Sequence, residues 1–331
     1  MKSIYLIISL VVIGALVYFV GVGMKNNAIA STEITNEKTM TQQQPVVYFT
    51  KDISPEGLDK VYKALNKKAT GKVGVKVSTG EPGGNHYLKA ALIEDLVKSV
   101  NGTIVECCTA YGGARSTPQS HKQVVKDHGF DFVPFDIMDE NGSTKLPITN
   151  GKHLKYDIVG KNFNKYGTYL VLSHFKGHAM GGFGGAIKNI SIGIASADGK
   201  AYIHSAGQYE KVGQGNHFGA KQDDFLESMA EAAKAVADHR PGRMIYINIM
   251  NNLSVDCDCD SHPAPPEMVD VGILASLDPV ALDKACVDLV YKAPDGKALI
   301  ERMESRHGIH TLDYAEEIGL GSQNYKLVEL K

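Results

Sequence analysis

"GKVGVKVSTGEPGGNHYLKAALIEDLVKSVNGTIVECC", residues 71–108, decides the fold class. Its first eight residues are rich in valine and read as a strand. "GEPGG" turns the chain. "HYLKAALIEDLVKSV" (86–100) carries apolar residues at helical spacing, and "GTIVECC" (102–108) is a second strand. Parallel neighbours need a long crossover, so strand, helix and strand in this order form the unit of a parallel sheet.

The pattern continues in both texture and order. "TAYGGARSTPQSHKQVVKDHG" gives a loop and a helix, with Thr117 as N-cap and Pro118 at the first helical position. "FDFVPFDI" follows as a third strand, and "GTYLVLSH" (167–174) is a buried one that delivers Ser173 and His174 at its end. Asp223–His239 reads as an amphipathic helix, "RMIYINIMNNLS" (243–254) and "VGILAS" as strands. Asp278 caps a helix opening on Pro279, and "YKLVEL" is the last strand. The expectation is an α/β protein: a mostly parallel sheet with flanking helices, in two lobes (about 46–165 and 166–331) around a cleft. Ligands of such sheets bind where the strands end, at their carboxyl edge.

The totals agree with a large globular body. The chain has 331 residues, a net charge of −2 and 43% hydrophobic residues. So balanced a charge argues against a nucleic-acid partner. The start of the chain differs. Lys2 precedes an apolar run from Ile4 to Met24, long enough to span a bilayer, and Ala28-Ile29-Ala30 has the A-x-A form of a cleavage site. Residues 1–30 are therefore either a signal peptide or an N-terminal membrane anchor, 31–45 a polar linker, and 46–331 the folded domain. Either reading makes the body extracytoplasmic, touching a membrane only if the segment stays uncleaved.

Four loops at expected strand ends concentrate chemistry. "STGEPGGNHY", with Lys76 before it, is either an anion loop or a structural turn. "CCTAYGGARS" offers Arg115 as a carboxylate or phosphate clamp, or as a surface arginine. "SHFKGHAMGGFGGAIKNISIGIAS" (173–196) and the following "GKAYIHS" hold His174, His178, Lys188 and His204 around a glycine run. Imidazoles there supply metal ligands or an acid–base group. "DCDCDSH" packs Cys257, Cys259 and His262 among aspartates, a ligand set suited to a soft or borderline metal. The chain has 5 cysteines in all, and four sit in close pairs, so they make no disulfide framework. Cys257 and Cys259 are expected not to bridge each other, and at least one to face the cleft or a metal. Cys286 falls on a helical apolar pattern and is expected in the core.

"KVGVKVSTGEPGGNHYL", "SHFKGHAMGGFGGAIKNISIGIAS", "NNLSVDCDCD", "DVGILASLDPVALDKACVDLV" and "GIHTLDYAEEIGLGS" together resemble domain-of-unknown-function family 362, the uncharacterised iron–sulfur centre proteins. Many members carry a cluster-binding insert after the "GK…HS" segment. Residues 207–240 contain no cysteine, so no iron–sulfur cluster is expected here. More distantly, "GHAMGGFGGAIKNISIGIAS" is similar to the nickel-pincer lactate racemase pattern. That resemblance implies a catalytic role for His178, a cofactor-holding one for Lys188 and a nickel-binding one for His204. Ala114 stands where that family has its other catalytic histidine.

The sequence thus points to a cleft that binds a metal ion of unknown identity or a small anionic ligand. His178 and Lys188 are the candidate catalytic residues. Lys76, Arg115, His174 and His204 are candidates to bind ligand, and His204, Cys257, Cys259 and His262 to bind metal. Acid–base chemistry on an organic acid, non-catalytic capture of metal or ligand at the envelope, and thiol redox chemistry are the three functional readings.

Overall fold

A computed structural model describes residues 44–331; the N-terminal apolar run and nearly all of the linker lie outside the described residues. The first elements are β1 (Val46–Thr50), α1 (Pro55–Ala64), β2 (Val73–Lys76), α2 (Ala90–Ser99), β3 (Gly102–Glu106), α3 (Pro118–Asp127) and β4 (Phe135–Ile137). Thr117 caps α3 as its sequence requires, accepting a hydrogen bond from the Ser120 N–H. A small hairpin, β5 (Ser143–Pro147) and β6 (Tyr156–Gly160), precedes β7 (Thr168–His174). The glycine-rich stretch then forms β8 (Lys176–His178), β9 (Gly182–Gly184) and the short α4 (Ala186–Ile190). After α5 (Ala197–His204) and α6 (Gln222–Asp238) come β10 (Met244–Met250), β11 (Gly272–Ser276) and α7 (Pro279–Lys292). The chain closes with α8 (Lys297–Ser305), α9 (His310–Glu317) and β12 (Lys326–Glu329).

Eight strands form one sheet in the order β12-β1-β11-β10-β7-β2-β3-β4, parallel except for β11, which runs against both its neighbours. The class is α/β, as the first strand–helix–strand unit implies. Alternation along the central strands builds two cores. Leu170 and Leu172 of β7 and Ile245, Ile247 and Ile249 of β10 face one layer. Tyr169 and Val171, with Met244 and Tyr246, face the other, where α4, α6 and α7 pack. Cys286 lies fully buried in that second core, as its helical pattern requires.

The strand order places the site. From β2 the chain winds outward through β3 to β4, then returns to set β7 on the other side of β2. The order of winding reverses between β2 and β7, and such a reversal leaves a crevice at the carboxyl ends of the two strands. Lys76 ends β2, and His174 ends β7. Among the described residues no helix is long and apolar enough to cross a membrane.

Candidate functional site

All four chemically dense loops border one cavity of about 450 Å³ at this crevice. Ser78, Cys107, Tyr111 and Arg115 come from the first two; His178, Lys188, Lys200 and His204 from the third region; Cys257 and Cys259 from the fourth. The local fold explains how each is held. Gly177 lets β8 press against the next layer, since a Cβ there would stand 2.2 Å from the Val255 carbonyl oxygen. Gly185 does the same for α4: a Cβ would stand 2.3 Å from Asp283 Oδ1, whose carboxylate accepts the N–H groups of Ala186 and Ile187 at 2.7 and 2.9 Å. Asp283 thereby anchors the helix turn that presents Lys188.

The two buried imidazoles are fixed in opposite senses. His178 Nδ1 accepts the backbone N–H of Gly181 at 2.8 Å and of Met180 at 3.3 Å. The neutral ring therefore carries its proton on Nε2. His204 Nδ1 instead donates to the Lys200 carbonyl at 2.7 Å, leaving the Nε2 lone pair free. Phe225 stacks on the His204 ring and Phe218 meets its edge. Burial, then the charge of Lys188, pushes the His178 pKa well below its ordinary value. Burial lowers that of His204 to about 4. Both rings are neutral at pH 7, one a donor and the other an acceptor.

Five cationic side chains line the cavity: Lys76, Arg115, Lys176, Lys188 and Lys200. Four have partners. Lys76 Nζ donates to Asn189 Oδ1 and the Val77 carbonyl, both at 2.8 Å, and burial lowers its pKa to about 8. Lys176 Nζ is 2.9 Å from Asp258 Oδ2, and Lys200 Nζ donates to the Ala195 carbonyl at 2.6 Å. Arg115 Nε bonds Glu81 Oε1 at 2.8 Å, and its Nη1 lies 3.5 Å from Glu106 Oε1. Lys188 is the exception: half-buried, it has no hydrogen-bond or ion-pair partner among the described residues. Burial first, then the Lys176 charge, brings its pKa down to about 7.

The geometry redistributes the roles expected from sequence. His178, Lys188 and His204 do share one cavity. His174 lines it but is spent: Nδ1 meets Asp258 Oδ1 at 2.8 Å and Nε2 meets the Asn251 carbonyl at 2.5 Å, leaving no lone pair for a ligand. Arg115 is likewise committed to Glu81 and Glu106 and serves the wall more than an incoming anion. His262 is exposed outside the cavity, turned away by the Asp260 Oδ1 bond to its N–H and sharing a hydrogen bond with Ser261, so its assignment as a metal ligand is corrected. Cys257 and Cys259 are disulfide-bonded, against the expectation that they would not bridge. The reason is the turn between them. Asp258 is buried and pinned by His174 and Lys176, and the Asp260 N–H returns to the Cys257 carbonyl at 2.9 Å. That brings the cysteine Cα atoms to 5.3 Å, within ordinary bridging distance. The pair does face the cavity.

Sequence reasoning missed Lys176 and Lys200, and saw Asp258 only as one of the aspartates of "DCDCDSH". Lys200 had a legible signal: it stands four residues before His204, the spacing that puts two side chains on one helix face. The role of Asp258 had no such signal, because its partners His174 and Lys176 come from the tertiary approach of β7 and β8.

The family model described as "Domain of unknown function (DUF362)" matches residues 73–288. No curated protein matches the sequence. Among solved structures the chain is similar to the lactate racemase apoprotein from Thermoanaerobacterium thermosaccharolyticum, at 18% identity and a TM-score of 0.36, covering 61% of this chain and 50% of that one. It is also similar to a protein from Thermotoga maritima, at 11% identity and a TM-score of 0.38, covering 80% of this chain and 58% of that one. The chain spans between half and three-fifths of the length of these two proteins.

Proposed function

The chain belongs to the family described as Domain of unknown function (DUF362), and we propose that its cavity binds a small anionic organic ligand and is equipped to move a proton on it. One observation carries this reading: an unpartnered lysine amine shares the cavity with two neutral imidazoles of opposite hydrogen-bonding sense. An anionic group entering beside Lys188 raises that amine's pKa and gains a full charge partner. His178 then offers an N–H, and His204 Nε2 offers a lone pair, so one ring can stabilise developing negative charge while the other takes a proton.

A metal fits part of this donor set. His204 is oriented for coordination by its bond to Lys200, and Lys188 offers a free amine. His178 has its proton on the outer nitrogen, and the two sulfurs are bonded to each other. A metal held at His204 would polarise an oxygen of the bound anion and would need that anion, or reduced cysteines, for its other ligands. Reduced cysteines would also make a separate site without His204: single ligand atoms of His178, Cys257 and Cys259 all lie within 4.8 Å of one another, and His178 would give up its outer proton to the metal. Non-catalytic capture of an anion or metal is the competing reading. Export of the body rests on the N-terminal apolar run, and fractionation of cells expressing the full chain tests it.

The experiment is calorimetry of the full chain with a panel of small hydroxy, oxo and phosphorylated acids, followed by deuterium exchange at the acidic carbon of any binder. Binding lost in Lys188→Met, with exchange lost in His204→Gln, supports the reading. Binding without exchange leaves a capture protein, and binding that survives Lys188→Met refutes the site.

A further inference from the structure

Outside the cavity, a second cluster gathers on the face of α6 between the β5–β6 loop and α9. Its base is Glu231, which is 2% exposed. Its carboxylate accepts the backbone N–H groups of Lys152 at 2.6 Å, His153 at 3.2 Å and Leu154 at 2.8 Å, and the Tyr314 hydroxyl at 2.8 Å. That carboxylate is fully used, and it fixes the loop against the helix. One turn earlier, Glu227 receives what the fixed loop presents. His153 Nε2 lies 2.5 Å from Glu227 Oε2, and His310 Nε2, at the start of α9, lies 3.0 Å from Oε1. Asp224, three residues before Glu227, lies on the same helix face. Its carboxylate takes no hydrogen bond or ion pair among the described residues, although its backbone carbonyl accepts from Ser228. One ligand atom from each of His153, Asp224 and Glu227 lies within 4.8 Å of the others.

We propose that His153, Asp224 and Glu227 form a metal site, for a divalent transition ion of the Zn²⁺ kind, with His310 holding the far oxygen of Glu227. One imidazole and two carboxylates, with water completing the shell, make a donor set that suits such an ion better than Mg²⁺ or Ca²⁺, which favour oxygen alone. The donors come from the β5–β6 loop and from α6, so an ion there ties the loop to the helix and stabilises the fold by mass action. Lys152 Nζ, 2.6 Å from Glu227 Oε2, supplies the positive charge when no ion is bound. Its side chain is 57% exposed and free to swing aside. The site is independent of the cavity, since none of its members lines it.

The test is Zn²⁺ titration of the chelator-stripped full chain against a chromophoric competitor, with Co²⁺ absorption as a readout of nitrogen and oxygen ligation. His153→Ala and Asp224→Asn are each expected to bind one equivalent less than the wild type, while His204→Ala keeps that equivalent. Lys152→Ala removes the competing charge and is expected to tighten Zn²⁺ binding by roughly fivefold or more. Circular dichroism identifies a variant that fails to fold, and the exposed Lys152 position decides the matter in that case. Unchanged stoichiometry and Co²⁺ spectrum in His153→Ala and Asp224→Asn, or weaker binding in Lys152→Ala, overturns the proposal.

Discussion

Lys188→Met separates binding from stability. Methionine follows the lysine stem, with its sulfur at the Cδ position that lies 3.2 Å from where a Gly184 Cβ would stand, and lacks the amine. In the fold the amine titrates at about 7 against an ordinary 10.5. Its folded-state pKa is depressed, so the unfolded chain binds the extra proton between these values, and the stability of the wild type rises with pH across that window. The penalty is complete below pH 7 and gone above 10.5. At about 1.4 kcal/mol per pKa unit its ceiling is about 5 kcal/mol. Lys188 is only half-buried beside a cavity that water enters, so relaxation leaves about 1–3 kcal/mol. Urea unfolding of both chains at pH 6, 8 and 10 measures this. The methionine variant is expected to be the more stable at pH 6, with the gap closing by pH 10, while anion binding is lost throughout. A variant less stable at pH 6, or a gap that does not change with pH, would show that the amine is not strained by its surroundings.

Asp157 is fully buried with neither carboxylate oxygen hydrogen-bonded, and burial raises its pKa to about 8. The native state therefore holds a proton that the unfolded chain releases above pH 4. The contribution of Asp157 to stability falls from pH 4 to 8, and Asp157→Leu should be the more stabilised relative to wild type the higher the pH across that window, in pH-dependent denaturation. Arg115→Ala takes the ion-pair partner from Glu81 and Glu106 but leaves Glu81 the Tyr111 hydroxyl and Glu106 the His121 ring, and should cost about 1–3 kcal/mol in urea unfolding. Thiol titration of the denatured full chain should find three free thiols of the 5 cysteines, and all five after reduction. Reduction of the native protein should then create Cd²⁺ or Zn²⁺ binding that His178→Ala weakens, a change followed by thiolate-to-metal absorption.

Periodicity and caps carried the fold from sequence because β2, β7 and β10 are buried along their whole length, so their valine, isoleucine and leucine runs are hard to misread. The caps at Thr117 and Asp278 behave as their side-chain chemistry demands. What stayed hidden depends on partners distant in sequence. β1 pairs antiparallel with β11, a neighbour more than two hundred residues away, and nothing local to Val46–Thr50 announces it. The site was legible as a set of residue types at strand ends, but not as a set of roles. His174, His178 and His204 look alike in sequence. Backbone groups alone make one a donor and another an acceptor, and Asp258, whose partners come from β7 and β8, consumes the third.

The glycine run resolves the same way. A side chain at 177 would collide with the backbone at Val255, and one at 185 with the carboxylate of Asp283. At 182 the backbone adopts a φ of +79°, which L side chains resist. These three glycines therefore serve approaches of protein to protein or a left-handed turn, while Gly184 and Gly185 also line the cavity. Flexibility is not their product: the hairpin and the α4 turn they permit are packed and hydrogen-bonded, with Asp283 receiving two amides of the turn and Asn248 Nδ2 at 2.7 Å. That rigidity is what keeps Lys188 in the cavity without a partner. A flexible loop would let its amine reach solvent, and its pKa would return toward the ordinary lysine value.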